Sequence, residues 1–522
     1  MNDFSDLHAP NDEFRANLKR ELKRAYRAET QFGAERVARA RTIGIAIGLA
    51  AGAVFTMTLG LVLGTSAATA SAEGVGRRLG DTTVNSGLAK LTTPMRNAIT
   101  ALSCAAQAEK PKPPQQGIPV VGVQMTPSKS GIRLGGILGL NELSDGRVIV
   151  NDLARHQVRV FDKSLATATI GLDSAPGSAR SYGPQRAFLL RWRGDSTLFA
   201  AVAAREALLL DPQGSVVRAV SLPTYDNGKV PFPVNFPVPT AIDDQGHVFG
   251  KGSTGIANGR TSDSVSILRA DLSSRQVETI GALLQGSTTF RQNPSVDGRR
   301  VMTSVVQAVP TVDTWTVLSD GTVAFVRGQD YHVDWLFPDG TKGGTNKLAF
   351  DWKRLSDEDK QKLIDSARVV RDSQVAIVNA RNAARNAGPG GDPDDVGSGG
   401  SVGRGRGGGG AGPAGQGGTI QRFDFVPPSG MPDFFPPVFV NSAMADLDGN
   451  LWILPTSSAQ SQHGELVYDV VNPKRGLFER VRLPIGRSIA GFGRGGVVYL
   501  QAGDLATGFT LERATVAHAP VK

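Results

Sequence analysis

Six times along the chain a Gly/Asp-type turn runs into a short apolar, β-rich strand, and this recurrence limits the fold more than any other feature. The turn-plus-strand cores read Ser144-Asp-Gly-Arg-Val-Ile-Val, Gly194-Asp-Ser-Thr-Leu-Phe-Ala and Asp244-Gln-Gly-His-Val-Phe. The others are Ser319-Asp-Gly-Thr-Val-Ala-Phe-Val, Leu447-Asp-Gly-Asn-Leu-Trp-Ile and Arg494-Gly-Gly-Val-Val-Tyr-Leu. Each Asp-Gly or similar pair supplies the positive φ that a tight hairpin needs, flanked by alternating apolar residues. A further strand follows each core at a matching offset, opening at Gln157, Glu206, Ser264, His332, Glu465 and Gly508. With Val148, Leu198 and Val248 as equivalent positions, the first two spacings are both 50 residues; Val323 comes 75 later, Leu451 128 after that and Val498 a further 47. A unit of this length matches a four-stranded sheet, which cannot cover both its faces alone, so several must stack radially. The expected fold is therefore all-β: a six-bladed β-propeller over residues 129–522, with Val120-Val-Gly-Val-Gln placed to complete the last blade.

In blade one, Asp145-Gly-Arg-Val-Ile-Val-Asn-Asp is followed by His156-Gln-Val-Arg-Val-Phe-Asp. That pair resembles the NHL-type and related six-bladed propeller repeat, in which a D-G-x-φ-x-V-x-D strand precedes an R-φ-x-V-F-D strand. The other blades match more loosely: blade two lacks the Asp-Gly order and blade six carries Gly-Gly. The resemblance covers about residues 130–516 and implies a fold rather than an activity. The C-terminal half, with Arg327-Gly-Gln-Asp-Tyr-His-Val-Asp-Trp and Asp448-Gly-Asn-Leu-Trp-Ile-Leu-Pro-Thr, is similar to exported bacterial propellers.

One insertion, residues 350–418, interrupts the β pattern between blades four and five. Ser356-Asp-Glu-Asp is a capping box with an acid at its third position, and it opens a helix. Leu363, Ala367, Val370 and Ile377 then form an apolar stripe suited to lying on the propeller surface. Of the 31 residues at 388–418, 16 are glycine; such a tract buries too little to order itself and is expected to be a flexible loop.

Residues 42–72 carry no charge, and the 22 residues at 43–64 are strongly apolar, long enough to cross a bilayer core of about 30 Å. Six basic residues lie in the twenty before Thr42 and three in the twenty from Glu73, so the positive-inside rule places the N-terminus in the cytoplasm and the bulk of the chain outside. The competing reading is a signal segment cleaved after Ala72, within Ala70-Ser71-Ala72. Within residues 1–41, Phe14, Leu18, Leu22 and Tyr26 make an apolar stripe on a charged helix. That helix suits the inner leaflet, or a cytoplasmic partner docking on residues 11–41. Residues 73–128 read as a spacer.

The formal net charge of +9 is spread over 57 basic and 48 acidic residues without a basic block, so nucleic acid is not an expected partner. Cys104 is the only cysteine, which excludes an intramolecular disulfide and a cysteine-based metal cluster. No serine nucleophile elbow, HExxH, phosphate loop or haem-attachment motif occurs, and no cofactor or metal set is assigned. Loops between second and third strands gather at one end of a propeller channel. Here they contain Asp152, Arg155 and His156 in blade one, Arg327, Asp330 and His332 in blade four, and His463 in blade five. These form the candidate binding face. The function expected is a membrane-tethered extracytoplasmic scaffold that binds or senses a protein, peptide or glycan. The alternatives are a metal-dependent hydrolase or lactonase of propeller shape, and a transmembrane regulator with a cytoplasmic docking helix. Reporter fusions placed before Thr42 and after Asn97 are expected to report opposite compartments; both on one side of the membrane would exclude the anchor.

Overall fold

The computed structural model describes residues 117–386 and 419–516, apart from short segments at 153–154, 174–186, 202–205, 227, 229–232, 297–298, 460–463 and 505–506. The apolar segment 42–72, the helix expected within 1–41 and the glycine tract lie outside the described residues. No helix among those described is long and apolar enough to cross a membrane.

The repeated cores fold as antiparallel sheets of four strands. Unit one consists of Ile137–Glu142, Val148–Asp152, Gln157–Phe161 and Ala168–Asp173, hydrogen-bonded in that order. Units two, three and four follow the same meander, from Ala187–Arg191 to Val216–Ser221, from Ala241–Ile242 to Val277–Leu284, and from Thr314–Val317 to Lys342–Gly344. Unit five runs from Ala443–Ala445 to Gly476–Arg482. Unit six contributes Arg487–Phe492, Val497–Asp504 and Gly508–Val516, and its fourth strand is Val120–Lys129 from the other end of the chain. That strand pairs antiparallel with Gly508–Val516 through Val123–Met125 and runs parallel to Gly476–Arg482 through Val120–Gly122. It therefore completes one sheet and ties it to the preceding one. The stretch read as spacer up to 128 thus ends in a strand from Val120 onward.

The equivalent positions chosen in the sequence are all core residues: Val148, Leu198, Val248, Val323, Leu451 and Val498 are each no more than 2% exposed. Side chains alternate between the two faces of a strand, so neighbours along it serve different sheets. Ile149 packs with Leu189 and Phe199 of unit two, whereas Val148 and Val150 pack with Val497 and Tyr499 of unit six. The same division recurs between units two and three, three and four, four and five, and five and six. Each sheet is covered on both faces by its neighbours, and unit six packs against unit one. The turns close with glycine in the left-handed region, including Gly194 at φ 62° in unit two, where the Asp-Gly order is reversed.

Between units three and four the 75-residue spacing accommodates a side sheet. Its strands come from three places in the chain: Ile256–Ala257 and Arg260–Thr261, then Thr289–Val296 and Arg299–Val306, then Thr419–Phe425. The last runs parallel to Arg299–Val306, so the chain returns from the insertion directly into this sheet. The inserted helix, α1 (Asp357–Asn386), starts at the capping box: Ser356 Oγ accepts the Asp359 N–H at 3.1 Å and Asp359 Oδ2 accepts the Ser356 N–H at 3.2 Å. Leu363 and Ile364 are buried with Val309, Leu355, Phe425, Met431 and Phe435, and Ala367 packs at the margin. Lys360 is fixed to Asp433 at 2.8 Å. The helix thus covers the side sheet's own small core; the Val370 and Ile377 side chains lie outside the described residues.

A buried polar network joins unit four to unit five. The Tyr331 hydroxyl donates to Asp469 at 2.6 Å, and Arg480 Nε donates to the other Asp469 oxygen at 2.8 Å. The Arg480 backbone N–H bonds Pro119, just ahead of the shared strand. Burial pushes the Asp469 carboxyl up, against the lowering effects of Arg480 and Tyr331. Burial, with Asp469 beside it, pushes the Tyr331 hydroxyl well up, so it stays a neutral donor. Removing the cation leaves a buried carboxyl without its strongest partner. Arg480→Ala is expected to lower unfolding free energy in urea by about 3–5 kcal/mol, and Tyr331→Phe by about 1–2 kcal/mol.

Candidate functional site

The loops singled out from the sequence are bound within their own surroundings. Asp152 is fully buried; its Oδ1 accepts the Gly135 N–H at 2.8 Å and its Oδ2 accepts from Arg155 at 2.7 Å. His156 sits in the left-handed region at φ 51°, and among the described residues its buried Nδ1 has no hydrogen-bond partner. Burial lowers its pKa, offset in part by Asp152. In unit four, Arg327 bridges Asp313 and Asp334, each at 2.7 Å, and lies over the Phe325 ring. His332 stands between Asp330 at 2.6 Å and Asp334 at 3.1 Å. Burial acts to raise the Asp330 carboxyl, but the bond from His332 and the charge of Lys347 leave it below its ordinary value. Among the described residues no hydrogen bond or ion pair joins the unit-one group to the unit-four group. His463 lies outside the described residues. Among those described, no group of three or more His, Cys, Asp and Glu is placed to hold a metal ion.

A cavity of about 310 Å³ opens instead where the first hairpin turns meet. Its lining comes from five units: Arg191, Trp192, Arg193 and Gly194 of unit two, Asp244 of unit three, Ser319 of unit four, Leu447 of unit five and Arg494 of unit six. Gly194, Asp244, Ser319, Leu447 and Arg494 each stand four residues before the buried equivalent position of their unit. They are the heads of the turn-plus-strand cores, and that common offset is a signal passed over in favour of the second-to-third-strand loops.

Hydrogen bonds between neighbouring turns hold the rim. Ser144 donates its N–H to Asp195 at 2.7 Å, and the Arg193 guanidinium donates to the Gln245 carbonyl. The Asp244 N–H bonds Ser319 O at 2.9 Å. Asp448 accepts the Gly495 and Gly496 N–H groups at 3.1 and 2.7 Å, and Glu142 accepts the Arg494 N–H at 2.9 Å. Three guanidiniums come from units two and six; among the described residues none of them has a carboxylate within 4.0 Å. On the unit-three side, burial together with the charges of Asp243 and Asp320 raises the Asp244 carboxyl. Asp243 itself is buried and bound to His247 at 2.7 Å.

Repeat, four-stranded sheets and shared cores together define a β-propeller-type repeat protein. No family model and no curated protein matches the chain. Solved structures similar to it include a duf4221-family protein from Bacteroides vulgatus, at 9% identity and TM-score 0.35 over 76% of this chain and 96% of that one. Virginiamycin B lyase from Staphylococcus aureus is 10% identical, with TM-score 0.32 over 74% of this chain and 97% of its own. A luciferin-regenerating enzyme is also 10% identical, with TM-score 0.31 over 75% and 94%. Likeness at this level says nothing about activity.

The Asp244 environment sets a pH dependence. A carboxyl whose folded pKa is raised favours the folded state below its unfolded value of about 3.9, and that contribution is lost as pH rises through the folded value. Asp244→Asn is therefore expected to raise the melting temperature at pH 7, with the difference from the natural chain shrinking as pH falls through the folded value and vanishing below about 3.9. An unchanged difference from pH 7 to below about 3.9 would exclude as its cause the raised Asp244 carboxyl, set by burial first and then by Asp243 and Asp320.

Proposed function

We propose that the chain is a six-bladed β-propeller held outside the membrane by residues 42–72, and that it acts as a binding or sensing scaffold for an extracytoplasmic protein, peptide or glycan. The six-bladed ring is supported by the six shared cores, the last of which joins unit six to unit one. One observation carries the binding assignment: equivalent residues from five units line a single cavity at the first-turn end. Loops that converge on a rigid scaffold are where repeat proteins place recognition, because packing fixes the strands and leaves the turn side chains to vary. A cavity of about 310 Å³ lies at the small end of pockets that hold ligands.

Ser319→Trp fills the cavity from the rim without altering a strand core. Glycan and peptide arrays probed with the full-length protein are expected to yield a ligand whose binding falls at least about tenfold in that variant, a loss of about 1.4 kcal/mol. Binding that survives Ser319→Trp but is lost on Asp330→Asn or His332→Ala would move the site to the opposite end of the units.

A further inference from the structure

We infer that the cavity at the first-turn end takes an anionic group, a carboxylate or a phosphate, seated against Arg191, Arg193 and Arg494. This rests on the reading of that cavity as the binding site and names the chemistry it selects. Three arginines line one small cavity, and the guanidinium of one of them, Arg193, also donates to the Gln245 carbonyl. A guanidinium presents a planar fork of donors that matches the oxygens of carboxylates and phosphates, and it stays charged at any physiological pH. None of the nearby acids forms an ion pair with these cations among the described residues. Asp195 is taken by the Ser144 N–H and hydroxyl, and Asp448 by the Gly495 and Gly496 amides. Glu142 is taken by the Arg494 N–H, the Tyr499 hydroxyl and Arg513. Asp244 is the one carboxylate in the lining; burial first, and then the charges of Asp243 and Asp320, raise it. The lining therefore carries three cations from units two and six and one carboxylate from unit three, with Arg193 reaching the unit-three turn at the Gln245 carbonyl. A ligand that uses the whole lining pairs its anion with a hydroxyl or ammonium directed at Asp244.

The test uses the full-length protein with three probes: inorganic phosphate, glucuronate and neutral glucose, followed by calorimetry and thermal shift at low and high ionic strength. Phosphate or glucuronate is expected to bind, more weakly at high salt, while glucose does not; which anion binds separates the two sources of charge. Arg191→Ala and Arg494→Ala are each expected to weaken that binding at least about tenfold, and Arg494→Lys less. Near-ultraviolet circular dichroism checks that the variants remain folded, and Arg494→Gln serves if the alanine form does not. Failure of both anions to bind, or binding unchanged in Arg191→Ala and Arg494→Ala, overturns the inference. A neutral array ligand blocked by Ser319→Trp, with neither anion bound, also overturns it and leaves the scaffold reading standing. Anion binding lost in the arginine variants, with no larger ligand found, supports the inference and counts against the scaffold reading.

Discussion

The strand Val120–Lys129 makes hydrogen bonds to two sheets at once, and the rest of the structure depends on those bonds. A radial stack of twisted sheets has two open ends until something joins first to last, and open edges are exposed to pairing with other chains. By supplying the outer strand of unit six, the segment ahead of unit one brings the two ends of the repeat together. Its backbone then continues through Ser130, whose N–H bonds Leu511 and whose hydroxyl accepts the Leu511 N–H, and Leu134, which exchanges bonds with Phe509. The covalent chain therefore enters unit one already fixed to unit six.

Packing between sheets follows from the two-residue period of a strand. In Val148–Asp152 every residue is buried, because one face meets unit two and the other meets unit six. A strand in that position reads as a continuous apolar run rather than an alternation. The side sheet obeys a different logic. It gathers strands from three insertions and is covered by α1, so it carries its own small core beside the main one. Because Thr419–Phe425 re-enters the fold parallel to Arg299–Val306, the long excursion after unit four begins and ends near the same sheet. Loop closure across such an insertion grows only slowly with its length, which explains how the repeat tolerates it.

The turn-and-strand cores were legible in sequence because they obey local rules: glycine for positive φ, and β-branched or large apolar residues at the strand positions. The capping box of α1 was legible for the same reason, since its two bonds involve residues three apart. The side sheet was not legible. Arg260–Thr261 and Thr289–Val296 carry few consecutive apolar residues, and Thr419–Phe425, the partner of Arg299–Val306, lies beyond the glycine tract. Pairing over such separations leaves no local mark. The second-to-third-strand loops drew attention through their histidines and aspartates, residue types that serve ligands and backbone caps equally well. Asp152 shows the difficulty: its oxygens go to the Gly135 N–H and Arg155, a bonding pattern that composition does not reveal.

The head positions of the cores make the opposite case. Four residues on, the equivalent positions are Val, Leu, Val, Val, Leu and Val, because each must fill a gap between sheets. The heads themselves are Ser, Gly, Asp, Ser, Leu and Arg, a set with no common size, charge or polarity. Packing restrains the first series and leaves the second free. In a repeat, that freedom concentrates chemical difference at a single place, since equivalent turns converge. The first head, Ser144, is used to bind the neighbouring turn through Asp195; the other five line the cavity. A repeat that is uniform in its core and varied at the heads of its turns concentrates its chemical variety in those heads. Arginines from units two and six and Asp244 from unit three are the charges that this variety brings to the cavity.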